Sequence, residues 1–309
     1  MGEAADEVAY NLALTLNSVQ EYFEFVNDDR ILPLPATVKP RSAARVADLQ
    51  AAVLSESKAR FPDEYPIGIT DCRLKESYSS AFDTDVAVVT THAKARAAPN
   101  YSLQRYLIYH VVDILMSRYI DLPFHENAVG CVDDYLNTLE DMQVGVTKSE
   151  YCAACRRKII AAVSVGQISL QKVAAIFRML DFAANRRRCF VLMPFDPMFH
   201  DVYMRGVKPA MARAGWDCAR ADEIFQSREV MTIVWEDILR AELIVADLTG
   251  RNANVYYELG FAHALSKNTI LLAQDIGDVP FDLRHRQLVQ YSSTRAGYAD
   301  LQRAIQKYL

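Results

Sequence analysis

The chain has 309 residues, a net charge of −5, and 51% hydrophobic against 24% charged residues. That length accommodates two domains of ordinary size, and the mildly acidic balance gives no general electrostatic reason to expect nucleic-acid binding. No apolar run approaches a membrane span. The start Met1-Gly-Glu-Ala-Ala-Asp6 has no signal-peptide pattern and lacks the Ser or Thr of a myristoylation site, and six irregularly spaced cysteines fit a reducing cytoplasm rather than a disulfide framework.

In chain order, Glu7–Asn27 carries apolar residues at helical spacing (Leu12, Leu16, Val19, Phe23, Val26) and breaks at the proline-bearing stretch Ile31–Arg41. A second helix is expected from Ser42, an N-cap residue type, to Arg60. Strand patterns follow at Tyr65–Thr70 and Asp85–Thr91, and Ser102 is placed to cap a long helix running to Tyr119. Ser169–Asp181 is again amphipathic, and the basic run at 186–188 marks the expected domain boundary. Residues 1–185 therefore read as an α+β domain.

Within that domain the chemistry lies in His125, Cys131, Cys152 and Cys155. A C-x-x-C pair in a reducing compartment is a redox pair or half a zinc site. His125 and Cys131 complete a Cys3His set, the donor chemistry of tetrahedral structural zinc. The alternative is that His125 and Cys131 are ordinary buried residues and only the pair is notable.

Residues 186–309 alternate strand and helix patterns. Strands are expected at Cys189–Met193, Trp216–Arg220, Leu243–Ala246, Thr269–Gln274 and Leu288–Tyr291. Helices are expected at Asp201–Ala214 (closed by Gly215), Arg228–Ala241, Asn254–Lys267 and Ala299–Leu309. This is the pattern of a doubly wound, parallel, five-stranded α/β sheet, with a flavodoxin-like order 2-1-3-4-5 expected. Ligands of such sheets bind beyond the carboxyl ends of the strands. Those ends carry Met193-Pro194-Phe195, Ala221-Asp222-Glu223 and Asp247-Leu248-Thr249, so three acidic clusters are expected to converge, with Phe195 and Tyr257 available to stack on a flat ring. Taken singly, Asp222, Glu223 and Asp247 are equally readable as helix caps. There is no G-x-G-x-x-G and no Walker lysine, so no redox cofactor is expected and phosphoryl transfer is poorly supported.

The stretch Asn254–Lys267 organises this half. It is apolar on nearly every face, which predicts a buried helix. Its single carboxylate, Glu258, is expected about one turn in, where the positive helix end would keep it ionised. That charge serves either as a helix-end stabiliser or as a nucleophile or base. Gly260 is expected to let a backbone or ligand come close.

The segments C-F-V-L-M-P-F (189–195), R-A-D-E-I (220–224), A-D-L-T-G-R-N-A-N-V-Y-Y-E-L-G (246–260) and A-H-A-L-S-K (262–267) resemble the nucleoside 2-deoxyribosyltransferase-like branch of the TIR-like superfamily. The resemblance implies a flavodoxin-like fold and an N-glycosidic bond as target. It gives Glu258 the role of attacking or stabilising the anomeric carbon, and Asp247 that of holding the sugar. Met193, Phe195, Asp222, Glu223, Asn254 and Tyr257 complete the expected substrate-binding set. The family's further Asp, six residues before the Glu, is here Asn252, which points away from deoxyribosyl transfer and leaves nucleotide or NAD substrates open. Similarity to TIR-like bacterial effectors implies antiviral or stress-triggered nucleotide depletion. Because pockets in similar families often borrow residues from a neighbouring subunit, a homo-oligomer is expected, while cysteine usage, hydropathy and charge point to a cytoplasmic protein with no membrane or direct nucleic-acid partner. Residues 65–160 faintly resemble archaemetzincin-like peptidases around His110. The H-E-x-x-H motif would need Glu at 111 and His at 114, where this chain has Val111 and Ile114, so that half is expected to be a catalytically degenerate scaffold or sensor. The expected function is an N-glycosidase or base-exchange enzyme; the rival is a non-catalytic nucleotide-binding module.

Overall fold

A computed structural model describes residues 2–20, 23–25, 45–59, 63–70, 80–92, 101–122, 125, 127–134, 136, 138–224 and 230–309, with the backbone alone at 2–10, 139, 222, 224 and 230–233. The expected loop at 31–41 and the expected cap Ser42 lie outside the described residues. The chain divides into two compact units, Met1–Ala184 and Asn185–Leu309. Among the described residues no helix is long and apolar enough to cross a membrane.

The first unit contains α1 (Gly2–Val19), α2 (Val46–Lys58), β1 (Ile67–Thr70), β2 (Ser80–Phe82), β3 (Ala87–Thr90), α3 (Leu103–Ser117), α4 (Leu139–Lys148), α5 (Ala153–Ser164) and α6 (Leu170–Ala183). Helix α3 is its axis, with every residue from Tyr106 to Met116 buried. It packs against α1, α4, α6 and β3, and the Ser102 hydroxyl caps it by accepting the Arg105 N–H. A small sheet lies beside it in the order β1-β3-β2, with β1 parallel and β2 antiparallel to β3. Helix α1 stops at Val19 rather than Asn27, although the apolar spacing continues. The Gln20 amide donates to the Leu16 and Phe23 carbonyls and accepts the Phe23 N–H, and Asn17 exchanges two hydrogen bonds with the backbone of Phe25. These side chains offer the backbone partners outside the helix, and the chain turns away.

The second unit contains β4 (Arg188–Leu192), α7 (Met198–Asp201), a π-helical turn (Val202–Val207), α8 (Lys208–Arg213), β5 (Asp217–Arg220), α9 (Ala221–Ile224), α10 (Val230–Arg240), β6 (Leu243–Asp247), α11 (Ala253–Ala264), β7 (Asn268–Ala273), β8 (Leu288–Gln290) and α12 (Arg295–Gln306). The five strands are all parallel, in the order β5-β4-β6-β7-β8. Counted from the first strand of the unit, that order is 2-1-3-4-5. Alternate residues Cys189, Val191 and Met193, with Val245, Ile270, Leu272 and Val289, bury one face of the sheet against Tyr203, Val207, Met211, Leu301 and Ile305.

The π-helical turn has a local cause. Pro209 lacks the N–H that the Arg205 carbonyl would accept in a regular helix, and its ring crowds that carbonyl. The turn widens ahead of it, and the Gln302 side-chain amide donates to the freed Arg205 carbonyl at 2.5 Å. The expected close at Gly215 is present, with a positive φ of 78°.

Candidate functional site

The carboxyl edge of the parallel sheet is built by a chain of hydrogen bonds that starts at Asp247. This carboxylate is fully buried at the end of β6. Its Oδ1 accepts the Thr249 N–H at 3.0 Å and its Oδ2 accepts the Tyr291 hydroxyl at 2.6 Å. The Gln274 N–H donates to the Thr249 hydroxyl, and the Gln274 amide donates to Tyr291. Burial raises the Asp247 pKa, while the bonds from Thr249 and Tyr291 pull it back only in part. Two turns outside this core are fastened to each other: Gly250 N–H donates to Asp278 Oδ2, Arg251 donates to the Gly277 carbonyl, and the Tyr256 hydroxyl donates to the Asp278 carbonyl. Asp247 thus joins the ends of β6, β7 and β8, with both carboxylate oxygens engaged.

Helix α11 leaves this edge from Asn252, whose Oδ1 accepts the N–H groups of Asn254 and Val255. Asn252 is therefore the helix cap. Helix α11 is not buried all round: Ala253, Asn254, Tyr257, Gly260 and Ala264 are exposed, and that spacing forms one stripe along the helix. Gly260 faces open space, so no described backbone uses its missing side chain. Phe261 lies on the covered side and stacks on Trp235 of α10, with ring centroids 5.2 Å apart.

Glu258 is the sixth residue of α11, beyond the first turn where the helix dipole acts strongly. Burial, the sole cause acting on it, raises its pKa from 4.5 to about 7. Desolvation outweighs the dipole, so the expected permanently ionised carboxylate is replaced by one poised near neutrality. Among the described residues it has no hydrogen-bond or ion-pair partner.

The other expected site residues divide. Phe195 after β4 and Tyr257 on α11 are 57% and 59% exposed, as a stacking surface requires. Asn254 is also exposed. Met193 is only 4% exposed, packed into the core, and its sulfur accepts from Arg220 at 3.3 Å; it cannot flank a base without leaving the core. Glu223 turns to its own neighbours, accepting from Lys208 and from the Tyr203 hydroxyl, each at 2.5 Å. Burial pushes its carboxyl up, but those two donors outweigh it and hold the pKa below the usual value. The side chain of Asp222 lies outside the described residues. Of the three acidic clusters expected to converge, Asp247 and Glu223 are engaged within the fold by their own hydrogen bonds.

In the first unit His125, Cys131, Cys152 and Cys155 come together with all four donor atoms within 4.8 Å of one another, a group that could hold a metal ion. His125 Nε2 lies 3.2 Å from Cys155 Sγ and 3.3 Å from Cys152 Sγ. The loop before Cys131 is shaped by Asp134, whose Oδ2 accepts three consecutive N–H groups, from Val129, Gly130 and Cys131. Bridges pair Cys131 with Glu150 and His125 with Asp134, while Cys152 occupies the N-cap position of α5. His110 is remote from this chemistry in kind. It is fully buried on α3, bonded through Nδ1 to the Ser80 hydroxyl, and burial lowers its pKa to about 3, so it stays neutral. Among the described residues the Cys3His set is the one metal-capable cluster.

Reasoning from sequence missed the Tyr291 and Gln274 partners of Asp247. A tyrosine just after one strand and a glutamine just after another carry no local sign that they meet.

No protein-family model matches the chain, and no curated protein matches it.

Proposed function

We propose that the second unit is an N-glycosidase or base-exchange enzyme that breaks the bond between base and ribose of a nucleoside, nucleotide or NAD. The observation that carries this reading is Glu258: a half-buried carboxyl without a partner among the described residues, its pKa about 7, on the helix that follows β6. A partly buried carboxyl with a strongly perturbed pKa is a functional-site candidate on physical grounds. The 2-1-3-4-5 strand order supports a flavodoxin-like layout, whose ligands sit at the switch in strand order, here between β4 and β6. Phe195 follows one of those strands and Tyr257 belongs to the helix after the other, both exposed, which suits stacking on a base.

In this mechanism the ionised carboxylate of Glu258 attacks C1′, or stabilises the oxocarbenium-like transition state, as carboxylates do in glycoside hydrolysis. The bond from C1′ to the base nitrogen breaks, and its electron pair leaves with the base. Water or a second base then takes the sugar. Asp247 acts from behind the site by holding Thr249 and Tyr291, so its contribution is to fix the edge against which the ribose rests. The test is to incubate the protein with NAD and a panel of nucleosides and nucleotides and to measure released free base by chromatography. Base release by the wild type and none by Glu258→Gln is expected; absence of release from every substrate refutes the enzymatic reading.

The engaged state of Asp247 and Glu223 favours a second reading, a nucleotide-binding module without catalysis. Isothermal titration separates the two, since that module would bind nucleotide with no base released.

For the first unit we assign a structural zinc to His125, Cys131, Cys152 and Cys155. Tetrahedral zinc with thiolate and imidazole ligands sets donor atoms about 3.5–3.8 Å apart, and the distances of 3.2 and 3.3 Å from His125 Nε2 to two sulfurs approach that spacing. Four protein donors leave no open coordination position, which suits a structural ion. With His110 neutral and lacking its motif partners, this unit is proposed as a sensing or assembling scaffold, in a chain that forms a homo-oligomer.

A further inference from the structure

Two cysteines that neither the metal centre nor the proposed site uses lie side by side on adjacent strands. The parallel register of β4 and β5 pairs Cys189 directly with Cys218. Registered neighbours present their side chains to the same face of a sheet, and adjacent strands run about 4.8 Å apart. That separation falls within the Cα spacing of about 4.4–6.8 Å that a disulfide spans. Both residues pack on the same face, Cys189 in the core and Cys218 at its margin, and both are free thiols. The two thiols interact: burial first, then the neighbouring Cys218, pushes the Cys189 thiol up. Cys218 is partly exposed, whereas Cys189 is buried.

We infer that Cys189 and Cys218 close a reversible disulfide between β4 and β5 when the protein meets a small oxidised disulfide such as glutathione disulfide. The partly exposed Cys218 loses its proton, and its thiolate attacks one sulfur of the oxidant. This forms a mixed disulfide and releases one glutathione thiolate, which takes up a proton. Cys189 then loses its proton and attacks the Cys218 sulfur, releasing the second glutathione thiolate, which is protonated in turn. The protein loses two electrons and two protons, and one molecule of glutathione disulfide is reduced to two thiols. Exposure sets this order, because the oxidant reaches Cys218 and the resolving thiol waits in the core. The link would fasten β5, an edge strand, to the strand that leads to Phe195.

The test uses the reduced full chain with its metal bound. It is incubated with glutathione disulfide, alkylated under denaturing conditions, digested without reductant and mapped by mass spectrometry. The expected product is a linked peptide pair carrying Cys189 and Cys218, two hydrogens lighter than its reduced form and restored by dithiothreitol. Cys189→Ala should trap glutathione on Cys218, and Cys218→Ala should leave Cys189 alkylatable. The inference is overturned if both cysteines of the wild type stay alkylatable, if glutathione remains on Cys218 with no link formed, or if either cysteine pairs elsewhere. Metal content measured in parallel shows whether the oxidant spared the Cys3His cluster.

Discussion

Replacing Glu258 with Gln should make the protein more stable in alkaline solution while abolishing the base release proposed above. Between pH 4.5 and about 7 the folded state keeps a proton on Glu258 that the unfolded chain has already released. Folded protein then binds more protons than unfolded protein, so stability falls as pH rises through this window, and the loss is complete above it. Carrying a carboxyl from 4.5 to about 7 corresponds to about 3 kcal/mol in a dry interior. At a half-buried position solvent screening reduces that to about 1–2 kcal/mol. Glutamine has the shape of the protonated acid and never ionises. The variant should match wild type below pH 4 and exceed it by about 1–2 kcal/mol at pH 8, which raises the melting temperature of a unit this size by about 4–8 °C. Urea or thermal unfolding of both proteins at the two pH values, followed by circular dichroism, measures the difference directly. A Gln variant less stable than wild type at pH 8, or a difference independent of pH, would refute the account of Glu258 as a desolvated, unpaired carboxyl. This outcome is separate from catalysis and stands or falls without a substrate in hand.

Four further outcomes are expected. If the ionised form of Glu258 does the chemistry, kcat/KM for the best substrate should rise with pH through a midpoint near 7, and a profile flat from pH 5 to 9 would remove Glu258 from the rate. Tyr291→Phe deletes the 2.6 Å bond to Asp247 and leaves a buried carboxylate oxygen short of a donor, so it should cost about 1–3 kcal/mol in urea unfolding; a neutral result would show that the bond is dispensable. Protein purified without a nickel column should contain one zinc per chain by mass spectrometry, and Cys152→Ser or a strong chelator should unfold the first unit, since structural metal binding is coupled to folding. Limited proteolysis should cut first near Asn185–Arg188 and release the second unit, whereas first cuts inside 200–280 would show that the boundary lies elsewhere.

The five strands of the second unit were legible because each is a short apolar run bounded by turn residues, and the alternation with helices dictates parallel pairing. The Cys3His group was legible because C-x-x-C spacing restricts what two thiols can do. What escaped was governed by partners distant in sequence. Periodicity carried α1 on to Asn27, yet Gln20 and Asn17 end it by capturing the chain beyond. Strand β2 is three residues long and exists through its pairing with β3. Helices α4 and α5 were overlooked, although Thr138 and Asp141 form a capping box at the start of α4. At the site, position along the chain predicted the environment of Glu258 wrongly, because the helix begins at Ala253 and desolvation dominates there. For Met193 and Glu223, residue type pointed to a ligand, while the sheet's own core and Lys208 had the prior claim.

Lys267 ends the stretch Asn254–Lys267, which also carries Glu258. It is buried, and its ammonium donates to the carbonyls of Leu239 and Ala241 at 2.6 and 2.7 Å, closing the far end of α10. The same short passage of sequence therefore holds two kinds of letter. Glu258 can be exchanged for an amide with the scaffold intact or strengthened, whereas Lys267 is a rivet whose removal leaves two interior carbonyls without their donor. A chain could lose the first and keep the second, retaining the appearance of the segment without its carboxylate; a chain that loses the second loses the shelf on which the first is mounted.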